Sequence, residues 1–245
     1  NPLLATYQTP HGTAPFHLIR TEHFEPAIQQ GMEMHNQEID AIIQQSEAPT
    51  FENTILALEK SGSLLNQATT IFGNLLSAET SDEMQAIAER VMPQLSAHSN
   101  NISLNEELFT RIKSVYQNTD LDTLNAEDRM LLQKTYDGFI RSGANLTPEQ
   151  KERFRQLSSE LSVLTLRFSQ NNLKETNRYE LSLTREELDG LPESAISNYA
   201  QTAKEKGKEG YIVTLQAPSF VPFMKYSTQR ELRQQLYMAY NTQCT

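Results

Sequence analysis

Thr147 to Leu173 reads TPEQKERFRQLSSELSVLTLRFSQNNL, and the spacing of its apolar residues decides the fold class. Phe154, Leu157, Leu161, Leu164 and Phe168 recur at alternating intervals of three and four residues, which places them on one stripe of an α-helix. The start is marked by three signals: Thr147 as a side-chain cap, Pro148 at the first helical position and Gln150 completing a capping box. Glu149 and Glu152 lie near the positive end of the helix dipole. Val163 and Leu166 fall off the stripe, which predicts that the middle of the helix is buried on more than one face. A helix of this length needs neighbouring helices to cover such a surface.

Working outward, the same periodicity recurs upstream. Residues 1–20, with Pro2, Pro10, Gly12 and Pro15, predict an extended surface segment. Ile28, Met32, His35, Ile39 and Ile42 then keep helical spacing. Thr50 caps a second helix carrying Ile55, Leu58, Leu65, Phe72 and Leu76. Gly62 falls on that stripe and points to a bend or a close helix contact, since glycine costs about 1 kcal/mol there relative to alanine. Ser81, Asn105 and Asn125 cap three further helices, the first of them interrupted by Pro93, where a kink is expected.

Downstream of Asn177 the period changes. Tyr179–Leu183 and Tyr211–Leu215 alternate as strands, with a helix opened by Pro192 between them. Pro218 and Pro222 bracket a short helix, and a final helical segment with Leu232, Leu236 and Tyr240 on one stripe runs from Arg230 to Thr245 without a terminator, so that the chain reads as cut there. The expected architecture is mainly α: an extended segment 1–20, a helical body 21–177, and a unit 178–245 holding a small two-stranded β addition near residues 179–215.

Composition narrows the function classes. The 21 Lys and Arg against 31 Asp and Glu give a net charge of −10, and no basic cluster forms a nucleic-acid surface. No apolar run reaches the roughly 18 residues that span a bilayer. The single cysteine, Cys244, excludes an internal disulfide and a CxxC metal site. His11, His17, His23, His35 and His98 form no HExxH motif, in which two histidines one turn apart bind zinc. His35 and Glu38 share a helix face, but His35 and His98 also lie on apolar stripes and read as packed histidines. GxSxG, GxxxxGK[ST] and GxGxxG are absent as well. Tyr136, Phe139, Phe154 and Phe168 read as core. No catalytic residue and no metal ligand is assigned, and substrate-contacting residues are not identified.

Several ordered segments nevertheless carry a resemblance. TFENTILALEKSGSLL (Thr50–Leu65), HFEPAIQQGM (His23–Met32), the Arg141–Leu173 segment and LQAPSFVPFMKYSTQRELRQQLYMAY (Leu215–Tyr240) together resemble the N-terminal region of the thimet-oligopeptidase family of zinc peptidases, on its peptidyl-dipeptidase branch. The resemblance implies a helical lobe flanking a deep channel. It also implies a zinc ion held by HExxH and a downstream glutamate, none of which occurs here. The implied reading is the non-catalytic N-terminal portion of a peptidase acting on oligopeptides. Its partner would be the C-terminal catalytic lobe of the same polypeptide, in a cytoplasmic or periplasmic setting. It would be inactive alone and would show an apolar patch where that lobe packs. The alternatives are the oligopeptidase A branch and a free-standing helical binding module without peptidase activity.

Overall fold

The computed structural model describes residues 1–244; Thr245 lies outside the described residues. The architecture is mainly α with one small antiparallel sheet. The chain divides into two compact units, Asn1–Leu164 and Thr165–Thr245.

The first unit opens with short 3-10 turns, and its N-terminal segment is anchored: Leu3 is fully buried and Gln67 donates to the carbonyls of Leu3 and Ala5. Helix α1 spans Phe24–Ile43 and buries Phe24, Ala27, Ile28, Gly31, Ile39 and Ile42. At Gly31 it is packed closely, since a Cβ there would come within 2.9 Å of the Leu65 backbone. The stretch expected as one second helix is instead three pieces. Phe51–Leu56 forms a π-helical turn, α2 spans Ala57–Lys60, and α3 spans Ser63–Ala78. Thr50 and Asn53 cap the first piece reciprocally, side chain to backbone, at 3.1 and 2.8 Å. Gly62 causes the break: its φ of +69° is left-handed, a conformation that no helix interior contains.

Helix α4 (Asp82–Ser103) continues on both sides of Pro93. Helices α5 (Glu106–Asn118) and α6 (Ala126–Arg141) follow. Ser81, Asn105 and Asn125 accept from the third backbone N–H of their helices, as their positions require. The core of this unit joins Ile39, Ile42, Phe51, Ile55, Leu108, Ile112, Val115 and Leu132. Beside it Tyr116 and Tyr136 stack with centroids 3.9 Å apart, and Phe109 stacks on Tyr136 and Phe139.

Helix α7 runs from Pro148 to Arg178 and crosses the division between the units. Its capping box is present: Thr147 N–H donates to Gln150 Oε1 at 3.0 Å, and Gln150 N–H donates to Thr147 Oγ1 at 3.3 Å. Lys151, 4% exposed, reaches the Leu104 carbonyl and pairs with Glu106 at 2.9 Å. The hydrogen bond from Lys151 holds the Glu106 carboxyl below the ordinary carboxylate range. The apolar stripe, however, is not buried. Leu157, Leu161, Leu164 and Phe168 are 47, 64, 54 and 62% exposed, and Val163 and Leu166 only half-buried. The expectation of burial on several faces, and of Phe168 as core, is corrected: only Phe154, at the start of the stripe, is partly buried. Periodicity shows which face is apolar, and it contains no information about whether a neighbour is present.

The second unit pairs β1 (Leu181–Leu183) with β2 (Tyr211–Val213) in antiparallel register, Leu181 opposite Val213 and Leu183 opposite Tyr211. Helix α8 (Glu193–Glu205) packs on β2, followed by α9 (Ala217–Tyr226) and α10 (Arg230–Asn241). The prolines do not bracket α9 but lie inside it: Pro218 is in the first turn, where its missing N–H costs nothing, and Pro222 further on. The final helix stops at Asn241, short of the expected extent. Leu181, Leu183, Tyr199, Val213, Leu215, Phe223 and Leu236 form the core. Tyr199 is 1% exposed and donates to the Ser219 carbonyl at 2.8 Å, and burial pushes its phenol up to about 12.

Candidate functional site

Among the described residues, no group of three or more His, Cys, Asp or Glu side chains converges to hold a metal ion. No described helix is long and apolar enough to cross a membrane. The feature richest in chemistry lies in the first unit, a cavity of about 450 Å³ lined by His35, Ser61, Gly62, Asn66, His98 and Ser99 together with apolar side chains that include Leu58, Leu65, Ile102 and Phe139.

Each element places its residue for a local reason. His35 and His98 sit on the inward stripes of α1 and α4, 63 positions apart, and their rings meet with centroids 5.0 Å apart. Ser61 and Gly62 form the turn that separates α2 from α3. A Cβ on Gly62 would lie 2.8 Å from the His35 ring, so glycine is needed there for space as well as for φ. The hydrogen bonds fix the tautomers. Ser61 Oγ donates its one proton to the Leu58 carbonyl at 2.7 Å, so it accepts from His35 Nε2 at 3.2 Å. A neutral His35 then presents Nδ1 as an acceptor, and His98 Nε2–H donates to it at 3.0 Å. The result is a one-directional chain from His98 through His35 and Ser61 to a helix carbonyl.

Glu38 lies one turn from His35 on α1. Its Oε2 accepts the Gly62 N–H at 2.6 Å. Burial pushes the His35 imidazolium to lower pKa, with the Glu38 charge opposing it; burial and then the neighbouring His35 do the same to His98. Both rings therefore take up a proton less readily than a free histidine. The pair does not fit zinc. Both nitrogens of His35 are committed within the chain of hydrogen bonds, and two imidazoles fall short of the three or four protein donors such sites use. Sequence reasoning placed His35 and His98 on apolar stripes but did not join them. The available signal was that each histidine interrupts an otherwise apolar face, so that each needs a polar partner inside.

Comparison with known proteins bears on the chain as a whole. No family model matches it. It is 32% identical over 241 residues to the dipeptidyl carboxypeptidase of Escherichia coli and 33% identical to that of Salmonella typhimurium, matching 98% of this chain in both cases. It is 31% identical over 246 residues to the oligopeptidase A of Haemophilus influenzae, matching 100% of this chain. The chain belongs to the thimet-oligopeptidase family. It spans 35% of the length of each of these three relatives.

Proposed function

We propose that this chain is the N-terminal, non-catalytic portion of a zinc-dependent peptidyl-dipeptidase, which releases dipeptides from the free C-terminus of oligopeptides. Within it, the chain serves as scaffold and as part of the wall of the substrate channel. The observation that carries the reading is the match of nearly the whole chain, at about a third identity, to dipeptidyl carboxypeptidases of which it spans 35%. Zinc and the groups that activate water would be supplied by parts of the polypeptide outside this chain, since no described cluster fits a metal. The exposed stripe of α7 supports the same reading. Four large apolar side chains on one helical face are what remains visible when a packing partner is missing.

The oligopeptidase A branch is a second reading, favoured by 31% identity over the full chain. The two branches differ in what they recognise, and one pair of peptides separates them. The polypeptide encoded by the source gene, incubated with an oligopeptide carrying a free C-terminal carboxylate, is expected to release dipeptides sequentially. The same peptide amidated at its C-terminus is expected to be cleaved at least tenfold more slowly, about 1.4 kcal/mol of lost recognition. Equal internal cleavage of both peptides would assign the oligopeptidase branch instead.

A further inference from the structure

We propose that His98, His35, Ser61 and Glu38 form an acid-released latch that holds the Ser61–Gly62 turn, and with it the wall of the cavity, closed at neutral pH. The hydrogen bonds that hold the turn are all present in the structure. The directional chain His98 to His35 to Ser61 ties α4 and α1 to the turn, and Glu38 holds the turn by the Gly62 N–H.

A proton on the Nδ1 of His98 leaves the chain of hydrogen bonds in place, whereas a proton on His35 does not. A proton on His35 Nδ1 would face the Nε2–H of His98, donor against donor, across a separation of 3.0 Å. The contact would become repulsive, and the ring would have to move away from His98. A new partner is within one helical turn, since Glu38 lies at i+3 and its carboxylate is the charged group acting on His35. Taking up the imidazolium would turn Glu38 toward His35 and weaken its bond to the Gly62 N–H, while the movement of the ring weakens the bond to Ser61, so protonation of His35 loosens both holds on the turn.

The groups around the pair leave the choice between the two states to these residues. From α4 the titratable neighbour is His98 itself, and from α1 it is Glu38. The cavity residues contributed by α2, α3 and α6, among them Leu58, Leu65, Asn66, Thr69 and Phe139, carry no charge. The sign of the pH dependence follows. The folded chain holds both rings neutral below the ordinary histidine value of about 6.5, where the unfolded chain already takes up protons. Stability is thus full above that value and is lost as pH falls through it toward the lower folded value.

The test is a pH titration of the whole chain by NMR, with long-range proton–nitrogen spectra of the histidine rings and amide spectra of the backbone. At pH 7.5 both rings are expected as Nε2–H tautomers. On acidification they should titrate below about 6.5, and the Gly62 amide should shift together with His35. Ring titration at or above 6.5, or a Gly62 amide that stays fixed while the rings titrate, would overturn the latch. A second measurement uses Glu38→Gln, which removes the negative charge that would hold the imidazolium in the released state. It should move the transition of the Gly62 amide to lower pH, and an unchanged transition would remove Glu38 from the mechanism. Thermal unfolding gives a third readout. Between pH 7.5 and 5.5 the parent chain should lose about 3 °C or more beyond any loss in His98→Gln, and parallel curves would contradict the proposal.

Discussion

Replacing Leu161 and Leu164 together by glutamate is expected to leave this chain as stable as before while strongly destabilising the complete polypeptide. Both side chains are more than half exposed on α7, at 64 and 54%, so in the isolated chain their removal gives up little buried area. Exposed substitutions of this kind stay within about 0.5 kcal/mol. On the proposed reading, the stripe is the seat of a catalytic lobe in the complete polypeptide. Burying a leucine contributes about 1.5–3 kcal/mol, and a carboxylate forced into the same interface adds a desolvation cost. The double variant should therefore lower the unfolding midpoint of the complete polypeptide by several degrees. In the isolated chain it should reduce self-association seen by sedimentation, with no change in midpoint. An active complete polypeptide that tolerates the double variant would remove the stripe from the interface while leaving the peptidase reading in place.

The second large effect is expected at Gly190. Its φ is +84°, and a Cβ built there would lie 2.4 Å from the Tyr226 carbonyl oxygen and 2.9 Å from Thr228 Cγ2. Neither neighbour can yield easily. Thr228 N–H donates to the Asp189 carbonyl at 3.1 Å, and its hydroxyl donates to the Asp189 carboxylate at 2.7 Å, which locks the link between α9 and α10 against the loop before α8. Gly190→Ala combines left-handed strain with a backbone clash and should cost about 3 kcal/mol or more, measured by chemical denaturation. Gly207→Ala is the control. Gly207 has a similar φ of +67° but nothing within 4 Å, so only the strain of about 1–2 kcal/mol applies. Equal losses at the two positions would show that the contact with Tyr226 contributes nothing.

Local signals were legible in the sequence and non-local ones were not. Thr50, Ser81, Asn105, Asn125 and Thr147 each cap the helix that their position announces, because a cap is decided by three or four consecutive residues. The strands were readable for the same reason, β2 from its aromatic and β-branched residues and β1 from the alternation of leucine with serine. Gly62 shows the limit. Its place on a stripe announced a bend or a close helix contact, and both occur, but the left-handed φ and the His35 ring beside it are visible only in the structure. The His35–His98 pair depends on two helices meeting 63 positions apart, which no local pattern contains. The stripe of α7 was identified correctly as a face and wrongly as a buried one.

The most direct test of the scaffold assignment compares the purified 245-residue chain with the complete polypeptide on one oligopeptide, each assayed with and without a chelator. The account predicts chelator-sensitive release of dipeptides by the complete polypeptide and no hydrolysis above background by this chain. Reproducible, chelator-sensitive hydrolysis by the 245 residues alone would contradict it, because the catalytic groups would then have to lie within them.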